Sequence, residues 1–398
     1  MEYRHLTNNS RFSYLPEEDM FVTKEKKSEY RINVIGAGIM GLEHIKVTML
    51  EERATFNGVY DTNERSVDAA VDTFKSVAGD QTLTIYSSLE AACNDPEVDG
   101  LIIATPNFSH LEVLKTAVKS GKHILLEKPM ATTIKDAWEI VKIAENYNAV
   151  FQIGLQYRYK AIHAESIYET IHRKTIGDLK TISIKEHRFP FLDKVDQWNK
   201  FSKYSGGTLV EKCCHYFDLF NYFANSKPVR VYSSGSQSVN FKEFEYKGNR
   251  SDIIDNAFVL VEYENGVRAN FDLCMFAPLY YEEIVLCGED GRISAWEKDD
   301  FLTTEGLQTG MEIHRGEMNP SRISSPKYPK HIESSGHSGA TFMEHSYWID
   351  NIKGIKRDTG SVSDGFWSVV VGSAAERSLK TGMPVMIEKL LKGEGIDI

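Results

Sequence analysis

The sequence predicts an α/β chain in two parts: a doubly wound parallel sheet over residues 30–152, then a mostly antiparallel sheet with flanking helices over 153–398. Three observations carry this. Short β-branched runs alternate with helical periods in the first part. One run, Leu101-Ile102-Ile103-Ala104, is apolar without alternation, as a strand buried on both faces must be. Beyond residue 155, strand-like runs follow one another with few helices between them.

Residues 1–29 read as a polar arm with isolated aromatics such as Tyr3, Phe12 and Phe21. A strand over 31–35 ends at Gly36, and a helix follows over 40–52. Strands are expected at 56–60, 83–86, 101–104, 124–126 and 150–155, with helices at 109–120 and 133–147. Gly121 closes the first of these two helices, as a residue free to adopt positive φ does. In the second part, strands are expected at 179–185, 229–233, 256–263, 266–273, 283–287 and 292–296. A Ser-, Pro- and Gly-rich loop is expected at 316–340, before helices at 341–352 and 364–381.

The composition narrows the function. Of the 398 residues, 41% are hydrophobic and 26% charged, which excludes a disordered or fibrous chain. A formal charge of -11 disfavours nucleic acid as a partner, because acidic surfaces repel phosphate backbones. The five cysteines (Cys93, Cys213, Cys214, Cys274 and Cys287) form no C-x-x-C pair, so a reduced, cytoplasmic chain is expected. No apolar run reaches the length of a membrane span, and no His/Cys/Asp set has zinc spacing; neither a membrane partner nor a metal is expected.

Gly36-Ala37-Gly38-Ile39-Met40-Gly41 fits G-x-G-x-x-G directly after a strand and at the start of a helix. Asp61 follows Gly41 at the separation that a dinucleotide-binding Rossmann unit requires. Gly36 permits the tight turn, Gly38 lets backbone approach a pyrophosphate, and Gly41 lets helix pack on sheet. Free N–H groups at the helix start hold the phosphates. Asp61 accepts from the adenosine ribose and repels a 2′-phosphate, so NAD is expected rather than NADP. Thr105, Pro106 and Asn107 follow the fourth strand, with His110 just beyond. Ligands bind at such strand ends, which makes all four candidates for cofactor contact.

With Glu127-Lys128-Pro129 at the end of the next strand, the set resembles the Gfo/Idh/MocA oxidoreductases: a Rossmann turn, then A-T-P-N-x-x-H, then E-K-P. Residues 206–215 look like that family's G-G-x-x-x-D-x-x-x-H segment, and Asp218 matches its following acid. The resemblance covers about residues 30–395, including a family-like ending at 372–382. It implies an N-terminal Rossmann domain and a C-terminal α/β domain with an open, mainly antiparallel sheet, whose exposed face serves homo-oligomerisation. It places Glu127 and Lys128 at the cofactor, the catalytic lysine on Lys128 with a Lys-Pro bond that is often cis, and the catalytic histidine on His215. The family's Asp falls on Glu211, one methylene longer, which moves the carboxylate by roughly 1.5 Å on a fixed backbone.

The residues support these roles independently. On a helix, Glu211 and His215 share a face, so the carboxylate can orient the imidazole and raise its basicity. Histidine titrates near neutrality, as a general base should. Lys128 beside a positive nicotinamide ring should have its charged form disfavoured. Tyr157, Arg158, His187, Trp198, Asn199 and His337 are candidates, with His215, to line a pocket for a hydroxyl-rich ring. The expected activity is an NAD-dependent dehydrogenase acting on a ring secondary hydroxyl of a sugar, sugar derivative, glycoside or inositol. The alternatives are a glycoside hydrolase using transient oxidation and elimination, and a non-catalytic sugar or nicotinamide sensor.

Overall fold

The computed structural model describes residues 28–79, 81–299 and 306–397. All but the last two residues of the expected arm lie outside them. Strands β1 (Tyr30–Ile35), β2 (Ala54–Tyr60), β3 (Thr84–Ile85), β4 (Gly100–Ile103), β5 (His123–Glu127) and β6 (Phe151–Gly154) form one sheet in the order β3-β2-β1-β4-β5-β6. Every pairing is parallel. Leu101, Ile102, Ile103, Ile124, Leu125 and Leu126 are fully buried, because helices cover both faces. Those helices are α1 (Ile39–Glu51), α2 (Glu64–Ala78), α3 (Leu89–Asn94), α4 (His110–Ala117) and α5 (Ile134–Ala144). Asn63, Ser88 and Thr133 cap α2, α3 and α5 by accepting from the backbone N–H three residues on. The strand order reverses between β1 and β4, which opens a crevice at their C-terminal ends.

The second sheet is built from β7 (Leu179–His187), β8 (Pro228–Ser236), β11 (Asn256–Tyr263), β12 (Arg268–Cys274), β13 (Tyr280–Gly288), β14 (Gly291–Asp299), β15 (Gln308–Arg315), β16 (Arg322–Ser324) and β17 (Val385–Met386). A small separate hairpin, β9 (Glu245–Tyr246) and β10 (Asn249–Arg250), stands outside it. The order is β16-β15-β14-β13-β7-β12-β11-β8-β17. Only β7 and β12 run parallel; the other neighbours are antiparallel. The helices of this part are α6 (Ala161–Ile167), α7 (Ser202–Ser205), α8 (Thr208–Glu211), α9 (Cys214–Ala224), α10 (Lys330–Glu333), α11 (Ala340–Ile352), α12 (Val362–Thr381) and α13 (Ile387–Gly393).

Helices α9 and α12 cover one face of this sheet, packing Phe217, Phe220, Val370 and Ala374 against Ile182, Ile184, Phe271 and Ile284. A Ser361–Asp364 capping box starts α12. The opposite face exposes Phe258, Leu260 and Tyr232. Helix α11 returns to the first sheet, where Trp348 and Ile349 join Ile32, Val34, Ile102 and Leu125 in one apolar cluster.

Three features depart from expectation. Helix α2 was hidden because only Ser66, Ala70 and Phe74 of it are buried, too thin a stripe to stand out. The expected loop at 316–340 contains β16 and α10. Strand β7 runs two residues further than expected, so its alternation turns Ile182, Ile184 and Glu186 inward and leaves His187 half-exposed.

Candidate active site

The crevice begins at the glycine turn. Gly36 has φ +94°, and a Cβ there would lie 2.7 Å from the Ala104 carbonyl. A Cβ on Gly41 would lie 2.1 Å from the Gly36 oxygen, whereas one on Gly38 would meet nothing within 4 Å. The first and third glycines therefore serve packing, and the second leaves an open cradle. Helix α1 has no side-chain cap and no acid in its first turn, so its N–H groups and positive end remain free for an anion. Asp61 accepts from Ala37 N and Asn63 N, each at 2.7 Å, which ties the end of β2 to the turn. Its carboxylate still has lone pairs for ribose hydroxyls. Asn107 is buried, and its Nδ2 has no partner. These features fit an NAD molecule held by residues 36–41, Asp61 and Asn107, with Ile39 half-exposed at the helix start.

Deeper in the crevice, the structure brings Lys128, Glu211, His215, Tyr157 and His337 together. Lys128 directly follows β5, at a cis Lys128–Pro129 bond, and its Nζ lies 3.4 Å from the Glu211 carbonyl oxygen. His215, in the first turn of α9, stacks flat on Tyr157, with ring centroids 3.9 Å apart and planes within 6°. Lys212 donates to the Tyr157 hydroxyl at 2.6 Å and lies 2.9 Å from the Glu186 carboxylate. The His337 ring is 6.1 Å from that of Tyr157, and its Nδ1 is 2.7 Å from Glu43 on α1. This pins the loop before α11 to the cofactor helix.

Several expected roles need correction. Glu211 does not orient His215. The helix breaks at Lys212 and Cys213, the Glu211 carboxylate pairs with Lys194 at 2.9 Å, and His215 Nδ1 has no partner. Tyr157 supports His215 rather than a substrate face. Arg158 is a buried clamp, bonded to Asp218 at 2.7 and 2.5 Å and lying over the Tyr222 ring. His187 faces the other side of the sheet, 3.3 Å from Asp272. Asn199 turns inward to donate to the Leu192 carbonyl. Both His110 ring nitrogens meet backbone carbonyls, Pro129 at 2.9 Å and Thr105 at 3.0 Å, so His110 ties two strand-end turns together. Glu127 is likewise occupied, by His44 and by the Lys128 backbone N–H.

Lys160, Lys194 and Lys212 escaped sequence reasoning. For Lys212 the signal was present: a lysine directly after Glu211 inside the 206–215 motif.

The electrostatics follow from burial and cations. Burial pushes the His215 pKa well below 6.5, and Lys128, Lys212, His337 and Lys160 push it the same way, so the imidazole is neutral. Burial opposes the charge on Glu211, yet Lys194 and Lys128 outweigh it and pull the carboxyl down to about 2. Burial also works against the Lys128 ammonium, but Cys214, Glu211 and Glu127 raise its pKa overall. In the chain by itself burial is therefore outweighed, and Lys128 keeps its charge. A neutral base and an ammonium in one pocket can take a proton from a hydroxyl and stabilise the oxygen left behind.

Comparison with known proteins gives two matches along most of the chain. The Gfo/Idh/MocA model described as an oxidoreductase family with an NAD-binding Rossmann fold matches residues 30–155. Its companion, the C-terminal alpha/beta domain, matches residues 168–387. Myo-inositol 2-dehydrogenase of Thermotoga maritima is 24% identical over 362 residues, spanning 91% of this chain and 99% of that protein. YrbE, an uncharacterized oxidoreductase of Bacillus subtilis, is 25% identical over 359 residues, spanning 89% and 96%. A levoglucosan dehydrogenase solved with NADH and levoglucosan superposes with a TM-score of 0.73 at 18% identity, covering 90% of this chain and 99% of that one.

Proposed function

The chain belongs to the Gfo/Idh/MocA family of NAD-binding oxidoreductases, and from that premise we propose that it oxidises a secondary hydroxyl on the ring of a sugar, sugar derivative, glycoside or inositol. The observation that carries this reading is the arrangement of neutral His215, stacked on Tyr157, with charged Lys128 just past β5, whose Nζ lies 3.4 Å from the Glu211 carbonyl four residues before His215. NAD held at residues 36–41 would supply the hydride acceptor. His215 would remove the hydroxyl proton, and Lys128 would donate a hydrogen bond to the same oxygen as its charge develops. Tyr157 would hold the His215 ring flat, and Glu211 would offset the positive field of Lys128 and Lys194. A relative named myo-inositol 2-dehydrogenase supports a neutral, hydroxyl-rich ring.

The test is a panel of inositols, aldohexoses and glycosides with NAD+, followed by NADH absorbance and product mass. A ring polyol should be oxidised and lactate or malate left untouched; turnover of a hydroxy acid alone would sink the proposal. Glycoside cleavage without accumulating NADH would mark the transient-oxidation route instead. We also propose a homo-oligomer built on the face that exposes Phe258 and Leu260, which light scattering of the Phe258→Lys variant would test.

A further inference from the structure

Beside the Lys128–His215 pocket lies a cavity of about 340 Å³, within the size range of small-ligand sites. Five aromatic residues line it: Phe108, Trp198, Phe201, Tyr204 and Tyr246. Phe108 directly follows the cofactor candidate Asn107 and leaves nearly half its surface open to solvent. Its ring is 5.2 Å from that of Tyr204 and meets Trp198 edge-on at 6.2 Å. Trp198 is carried to the wall by two consecutive non-glycine residues at positive φ, Asp196 at 54° and Gln197 at 55°. Backbone in that region persists only where the surroundings enforce it, and such places cluster at ligand sites.

The cavity is tied to the reacting groups. The Lys194 ammonium lies 4.4 Å from the Trp198 ring centre and 2.9 Å from the Glu211 carboxylate, while the Glu211 carbonyl lies 3.4 Å from Lys128 Nζ. Polar groups rim the aromatics. Asp196 holds Lys247 at 2.8 Å and Tyr246 at 3.0 Å, and Lys203 has no carboxylate partner among the described residues. Flat aromatic faces edged by hydroxyl, carboxylate and ammonium groups match a pyranose, which has C–H faces and a hydroxyl perimeter.

We propose that this cavity is a second-ring subsite: the substrate is a glycoside whose oxidised ring sits at Lys128 and His215 and whose neighbouring pyranose stacks against Phe108 and Tyr204, with the nearly buried Trp198 backing them edge-on. The proposal rests on the sugar-oxidising reading above and narrows it to substrates larger than one ring. Such a substrate is recognised by two separate surfaces, and its far ring contributes binding that the reacting ring alone does not.

The test measures dissociation constants by calorimetry on NADH-loaded protein, which cannot turn over an alcohol. The probes are glucose, maltose, cellobiose, sucrose and 4-nitrophenyl glucoside, with NAD+ turnover of each measured in parallel. At least one disaccharide should bind at least about tenfold more tightly than glucose, the gain of one good aromatic stack. In Tyr204→Ala and Tyr246→Ala, two rim variants, the disaccharide-to-glucose ratio should fall toward one. Equal affinities for one and two rings would overturn the subsite, as would a ratio untouched by both variants. A gain for the nitrophenyl glucoside alone would also overturn it and mark a pocket for an aromatic aglycone. If the ratio behaves as expected but no sugar yields NADH and no glycoside is cleaved, the subsite stands as a binding site and the oxidation reading falls. If glucose is oxidised and disaccharides gain nothing, the reverse holds.

Discussion

His215 lies flat on Tyr157, and the Lys160 ammonium lies 4.1 Å from the centre of the same phenol ring. The Lys212 ammonium lies 4.7 Å from that centre too, so the Tyr157 ring is occupied by this chain's own groups. The imidazole is thus positioned by an aromatic plane where sequence spacing had suggested a carboxylate. Tyr157→Leu should remove this support. An aromatic stack contributes about 0.5–1.5 kcal/mol, so kcat/KM should fall roughly 2- to 10-fold. Tyr157→Phe keeps the plane and should retain more activity; equal losses in both variants would assign the effect to the hydroxyl and Lys212.

Lys128→Met and His215→Ala should each lower kcat by at least about 10²-fold, the low end for a positioned proton-transfer group. NAD affinity, read by fluorescence titration, should be nearly unchanged. Near-normal turnover in either variant would remove that residue from the chemistry.

Because burial and neighbouring cations hold the His215 pKa well below 6.5, the acid limb of kcat/KM should lie below that pH. Lys212→Met removes one cation and should move the limb upward. Stability carries the same sign. The unfolded chain protonates this histidine near 6.5 and the folded one resists, so its contribution is complete above that pH and is lost as pH falls below it. Melting scans of the unmodified protein and His215→Asn between pH 7 and 5 would show a shallower fall for the variant.

Glu211→Gln should cost less activity than His215→Ala, since the carboxylate faces Lys194 and leaves the base in place. Glu211→Asp shortens the reach to Lys194, and a rise in activity would show that the longer side chain is incidental.

Lys160 is fully buried between Glu282 at 2.6 Å and Glu297 at 2.7 Å, themselves fully buried. Lys160→Met leaves buried Glu297 without its cation and Glu282 with only Tyr280 and His163, and should destabilise the protein by about 3–5 kcal/mol in urea unfolding. The double change Glu282→Gln with Lys160→Met should recover part of that loss.

Asp61→Ala should narrow the preference for NAD over NADP, because the carboxylate that repels a 2′-phosphate is gone. Equal affinity for both cofactors in the unmodified protein would exclude Asp61 from the ribose site.

The first sheet was legible because its strands announce themselves locally: an apolar run, then glycine or a cap, then a helical period. The cofactor turn shares that local character, since Gly36, Gly38 and Gly41 act within one loop. What stayed hidden depends on distant partners. Arg158 and Asp218 lie sixty residues apart in sequence and still bond, so nothing near Arg158 foretold its use as a clamp. His187 was lost to a strand boundary, because extending β7 by two residues decides which face the last side chain meets. Glu211 and His215 have helical spacing, but the turn at Lys212 and Cys213 breaks the helix that would have aligned them.

The packing of α11 bears on how the chain is made. Trp348 and Ile349 seal an apolar surface formed by Ile32, Val34, Ile102 and Leu125, and the Trp348 ring packs so close that a Cβ on Gly100 would lie 2.9 Å from it. All six strands of that sheet have left the ribosome roughly 190 residues before α11 does. At 5–20 residues per second, the wait is about 10–40 s. During that interval the part of the nascent sheet that Trp348 and Ile349 will cover stays open, so the first domain can complete this apolar cluster only once α11 has been made.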